Sequence, residues 1–161
     1  INKRNLERLQ PIYQRQMEIT TSVTMAMDQI REAKATIQSI NKMLNPKGNK
    51  SHKELISRGK AISDSLKLLE ELIVNKKGLQ GIVRSPNILS SKVGAIGRYL
   101  YSNLSGPNDS HKYLLDYAEA ETEKVLNQVN IFFKKDWDEY QSEVEDADLS
   151  FFKSYKPIKI N

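Results

Sequence analysis

The chain of 161 residues contains no cysteine, which excludes disulfides, thiolate chemistry and Cys-ligated zinc together. It has only two histidines, His52 and His111, so little is left for acid–base or metal chemistry. No apolar run approaches the ~20 residues needed to cross a bilayer as a helix, and no signal-peptide core is present. No alternating strand pattern of any length occurs, and there is no internal repeat. The catalytic signatures H-E-x-x-H, Walker A and G-x-S-x-G are missing. Neither histidine follows a glutamate by three, so the Glu-x-x-His pairs of a di-iron bundle are missing as well. No cofactor is expected, and the chain is not read as an enzyme.

What is present is helical periodicity. Val23, Ala26, Ile30, Ala33, Ile37, Ile40 and Leu44 form a 3–4 seam held over three heptads. Leu6, Leu9, Ile12, Tyr13 and Met17 extend it upstream, with Pro11 either opening the helix or kinking it. Asn45-Pro46-Lys47-Gly48 ends the segment, and Ser51-His52-Lys53-Glu54 reads as a capping box for the next. The second stripe is Leu55, Gly59, Ile62, Leu66, Leu69 and Ile73. A longer connection carrying Gly78 and Gly81 leads to Ser85-Pro86. The third stripe is Leu89, Val93, Ile96, Leu100 and Leu104. After Gly106-Pro107, Asn108 is the N-cap of a long fourth helix with Leu115, Ala118, Val125, Val129, Phe132 or Phe133, Trp137, Tyr140 and Val144 inward.

The spacing thus predicts an all-α chain with helices over 5–44, 52–74, 86–104 and 109–146. Short connections join antiparallel neighbours, so an up-down-up-down four-helix bundle is expected over 1–147. At 1.5 Å per residue the first and fourth helices span roughly 50–60 Å and the middle two about 25–35 Å. A bundle of this kind tapers to a two-helix stalk where residues 5–20 meet 130–147. The 45–51 and 105–108 loops would share one end and bring His52 near His111. The extended tail over 148–161 carries Phe151, Phe152 and Tyr155; folded over Trp137 and Tyr140, it would act as a clasp that also marks a docking surface. One domain over 1–161 is expected, and the start at Ile1 reads as the C-terminal fragment of something longer.

The net charge of +5 is unevenly spread. Residues 1–60 hold 12 Lys and Arg against 5 Asp and Glu, whereas residues 111–161 hold 7 against 11. Opposite signs at the two ends of one fold look like complementary neighbours, and nucleic acid is disfavoured as a partner. Asp136, Glu139, Glu143 and Asp146 are expected to face Lys3, Arg4, Arg8, Lys76 and Lys77. Lys42, Lys47, Lys50, Lys53, Arg58 and Lys60 have only Glu54 among them, which makes this basic end the candidate patch for an acidic ligand or polyanion. Asp116, Glu119, Glu121 and Glu123 spread around their helix and read as a solvated face.

Scattered positions carry a resemblance. They are the run Val74-Asn75-Lys76-Lys77-Gly78-Leu79-Gln80-Gly81-Ile82, then Gly106-Pro107-Asn108 before a helix with Trp137 and Tyr140, and the ending Ser150 to Lys159. Together with Ile30-Arg31 they resemble the C-terminal helical region of large secreted bacterial sortilin-like, Asp-box β-propeller proteins, often labelled glycosyl hydrolases. The resemblance implies propellers upstream and an extracellular, periplasmic or cell-surface location. It implies a non-catalytic accessory domain that docks on the parent's propellers or on another protein. It supplies no active-site residue here.

Overall fold

The computed structural model describes residues 3–44, 52–74, 87–102 and 106–147. Four helical segments pack together, and no strand occurs among the described residues. Helix α1 runs Lys3–Leu44, α2 Lys53–Ile73, α3 Leu89–Ser102 and α4 Asp109–Phe132. A π-helical turn, Phe133–Trp137, joins α4 to α5, Asp138–Asp146, without interrupting the rod. Helix α1 continues through Pro11. The third helix begins three residues later than Pro86. The capping residues expected at Ser51 and Ser85 lie outside the described residues, as does the tail.

The seams read from spacing are the buried faces. Val23, Ala26, Ile30, Ala33, Ile37, Ile40 and Leu44 are buried on α1, as are Gly59, Ile62, Leu66, Leu69 and Ile73 on α2. Asn108 caps α4 reciprocally: its Oδ1 accepts from the His111 amide at 3.0 Å, and its own amide donates to His111 Nδ1 at 3.1 Å. Nδ1 therefore carries a lone pair and Nε2 the proton, on a ring with no exposed surface. His111 is a capping residue.

The helix directions differ from the expected alternation. Arg15 on α1 pairs with Asp116 and Glu119 on α4, while Ala33 and Thr36 share a groove with Trp137 and Gln141. The two long helices therefore run parallel. Both middle helices oppose α1, but at different levels. Gln16 Nε2 donates to the Val93 carbonyl of α3 at 3.1 Å, and Tyr13 stacks on Tyr101 with centroids 4.8 Å apart. Farther along, Lys34 meets Glu70 of α2 at 2.5 Å, and Gly59 sits against Ile37 and Asn41. Helices α3 and α2 thus follow one another along the long pair, α3 beside its start and α2 beside its end.

This corrects three expectations. There is no up-down-up-down order, because α2 and α3 point the same way. The two-helix stalk joining 5–20 to 130–147 does not exist; those segments lie at opposite ends. His52 and His111 are also at opposite ends, since Gly106 is beside Asn5 while His52 shares a cleft with Glu143 and Ala147. Burial explains the arrangement. Two short helices laid end to end cover the inner stripes of both long helices along their length, which a bundle four helices wide at one end does not.

Candidate functional site

The π-helical turn has a cause in the sequence. Leu115, Ala118, Thr122, Val125, Val129 and Phe132 repeat at alternating steps of three and four. Continued, the same rhythm puts Asp136, Glu139 and Glu143 into the core. The apolar residues come one position later, at Trp137, Tyr140 and Val144. A π turn takes up one extra residue and so restores the phase. Tyr140 is accordingly 1% exposed, Trp137 and Val144 pack against the core, and Glu139 and Glu143 face outward.

The same turn shapes a groove of about 660 Å³ between α1 and the second half of the α4–α5 rod. Gln29, Glu32 and Thr36 form the α1 wall, and Asn130, Lys134, Asp138 and Gln141 the other. Ala33, Phe133 and Trp137 supply its apolar part. The rings form a chain: Phe132 to Phe133 at 5.3 Å edge-on, Phe133 to Trp137 at 5.9 Å, and Trp137 to Tyr140 at 6.0 Å. Trp137 therefore has two surroundings, a packed inner side and a groove. Tyr140 is wholly interior, and burial, then the neighbouring Glu143, pushes its hydroxyl pKa up. Of these two expected docking residues, only Trp137 lines the groove. Phe151, Phe152 and Tyr155 lie outside the described residues.

The acidic end of the fourth helix does not meet the start of α1. Asp136 to Asp146 lie about 45 Å along the rod from Lys3, Arg4 and Arg8, given 1.5 Å per residue over some thirty residues. Lys76 and Lys77 are outside the described residues. The partner of the acidic end is Arg58 of α2, which reaches Glu139 at 3.3 Å and Glu143 at 3.4 Å. This corrects the view that the basic end has no countercharge beyond Glu54. Lys42, Lys53 and Lys60 are exposed there, and Lys47 and Lys50 lie outside the described residues.

The acidic residues of α4 are not a uniform solvated face. Asp116 and Glu119 hold Arg15, the former at 2.8 Å, and these contacts raise the guanidinium pKa. Glu121 is held by Lys124 at 2.5 Å and by Lys92, and the two ammonium groups lower its pKa to about 2. These pairs fix α1 and α3 in register on α4. Their positions agree with the parallel course of the two long helices.

A second surface lies between α1 and α3, where Met17, Thr20, Gly94, Gly97, Arg98 and Tyr101 line a mainly apolar trough of about 610 Å³. Met17 is 60% and Tyr101 54% exposed. Spacing did not single out the trough; of the groove it gave Trp137, beside Phe132, Phe133 and Tyr140, as a docking candidate that helical spacing otherwise assigns to packing. A further signal was the choice between Phe132 and Phe133, where a one-residue slip in the heptad shows as ambiguity.

No protein-family profile, curated protein or solved structure matches the chain.

Proposed function

We propose that this chain is a non-catalytic helical interaction domain that docks a protein partner through the α1–α3 trough. The observation that carries this reading is the contiguous exposure of Met17 and Tyr101 above two glycines. Large exposed apolar side chains gathered on one surface mark protein interaction sites, and Met and Tyr are enriched in them. The two glycines have different reasons. A Cβ at Gly97 would stand 3.0 Å from Gln16 Nε2, so that glycine serves internal packing. A Cβ at Gly94 would meet only Arg98 Nη1 at 3.6 Å, leaving room on the outer side. The shallow floor at Gly94 thus serves whatever sits above it.

The resemblance to the helical region of exported sortilin-like propeller proteins makes the parent's upstream propeller the first partner to test. It also makes this chain an accessory domain of a secreted or cell-surface protein. The test is calorimetric titration of the upstream region with the wild-type chain and with Gly94→Leu. The variant fills the trough and improves helix propensity, so its melting temperature should hold or rise. Binding should weaken by at least about tenfold, equivalent to ~1.4 kcal/mol. Unchanged affinity in Gly94→Leu would remove the trough from the interface. The alternative, an acidic ligand at Lys42, Lys53 and Lys60, requires steep salt dependence and insensitivity to Gly94→Leu.

A further inference from the structure

We propose that the groove over the π-helical turn binds a short, neutral oligosaccharide, with a sugar ring against Trp137. The groove is separate from the docking trough, since it lies between α1 and α4–α5. Three observations carry the assignment. The first is the state of its polar side chains. Gln29, Glu32, Asn130, Lys134 and Asp138 form no side-chain hydrogen bond or ion pair with any other described residue, although they converge on one groove. They offer both donors and acceptors, amides and carboxylates beside one ammonium.

The second observation is charge. Two carboxylates against one lysine leave the groove slightly negative, which disfavours an anion. The polar walls disfavour a purely apolar ligand, because unpaired carboxylates and amides would lose water without replacement. A hydroxyl both donates and accepts, so a polyhydroxylated ligand is able to pair with amide, carboxylate and ammonium alike. A peptide strand offers fixed amides and would need cationic side chains of its own opposite Glu32 and Asp138.

The third is the aromatic side chain. Trp137 gives a flat apolar face among the polar groups, matched by a ligand whose C–H face and hydroxyl edge differ. With seven polar lining residues against Ala33, Phe133 and Trp137, the groove is more polar than the mostly apolar pockets that hold apolar small molecules, which again favours a ligand rich in hydroxyls. The walls extend about 10–16 Å along the rod, from Gln29 to Thr36 and from Asn130 to Gln141, which suits a short linear chain. The π turn places Trp137 here, and such turns recur at functional sites.

Trp137 is the sole tryptophan, so its emission reports the groove directly. The full chain is titrated with cellohexaose, xylohexaose, mannohexaose and maltohexaose, each to about 10 mM, well above the millimolar limit of weak recognition. An oligogalacturonate and a peptide of residues 148–161 are run alongside. The proposal expects saturable change with at least one neutral hexaose. Gln29→Ala and Asp138→Ala should each weaken it about tenfold with melting temperature unchanged, because both side chains are exposed. Gly94→Leu should leave it untouched, which separates this outcome from that of protein docking. Silence with all four hexaoses overturns the proposal, as does equal affinity in both alanine variants. A response to the 148–161 peptide alone assigns the groove to the chain's own tail, and a response to the oligogalacturonate alone contradicts the charge argument.

Discussion

Gly59 shows how a single residue sets the approach of two helices. An added Cβ would lie 2.9 Å from the Tyr140 hydroxyl and 3.2 Å from Asn41 Oδ1. Both of those atoms are buried without a hydrogen-bond partner in the described structure. A glycine inside a helix costs about 1 kcal/mol relative to alanine, so its place on the seam of α2 needs a packing reason. That reason is Tyr140, which the π turn has rotated inward. Gly59→Ala should destabilise the fold by about 1–2 kcal/mol, with overpacking exceeding the gain in propensity. Tyr140→Phe removes an unpartnered buried hydroxyl and should be neutral or stabilising by about 1 kcal/mol. In the Tyr140→Phe background the alanine penalty should shrink, since the nearest atom is gone. Urea denaturation of the four proteins measures the coupling. An equal alanine penalty in both backgrounds would contradict the close contact.

At the scale of elements, the fourth helix is one rod with a phase correction built into it. Its first half follows Leu115 to Phe132, and its second half follows Trp137, Tyr140 and Val144 one residue out of step. Deleting Lys135, which is exposed and does not line the groove, should convert the π turn to regular α-helix. The apolar residues after it then fall into the original rhythm, so folding should remain cooperative and the melting temperature should hold or rise. The same deletion in a chain lacking the π turn would rotate Trp137, Tyr140 and Val144 by about 100° out of the core, and a large loss of thermal stability would show this. The seams were legible because local spacing fixes which face of a helix is apolar, as at Val23 to Leu44. The groove was not legible, because Gln29, Glu32 and Thr36 are ordinary surface residues until Asn130, Lys134 and Asp138 are brought opposite them. The slip at Phe132 and Phe133 was visible in the sequence only as a choice between two inward residues.

At the scale of the molecule, spacing says nothing about the relative direction of helices that are not neighbours in sequence. Helices α1 and α2, and α3 and α4, are antiparallel, as the shortness of the connections between them implies. Helices α2 and α3, on either side of the longer connection, run the same way, and this one exception makes α4 parallel to α1. The charges then sort themselves accordingly: Arg15 meets the start of α4, and Arg58 meets its acidic end. The parallel course underlies the groove, the register of the ion pairs and the separation of His52 from His111. Pulsed electron–electron resonance on the cysteine-free chain measures it directly, because spin labels attach only where cysteines are introduced. Labels at Thr36 and Gln141 should give a distance under about 20 Å, from axes ~8–10 Å apart plus the label arms. Labels at Gln14 and Gln141 should give roughly 35–40 Å, from about two dozen residues of helical rise. The opposite result, a short Gln14–Gln141 distance and a long Thr36–Gln141 distance, would mean that the long helices are antiparallel and would contradict the account.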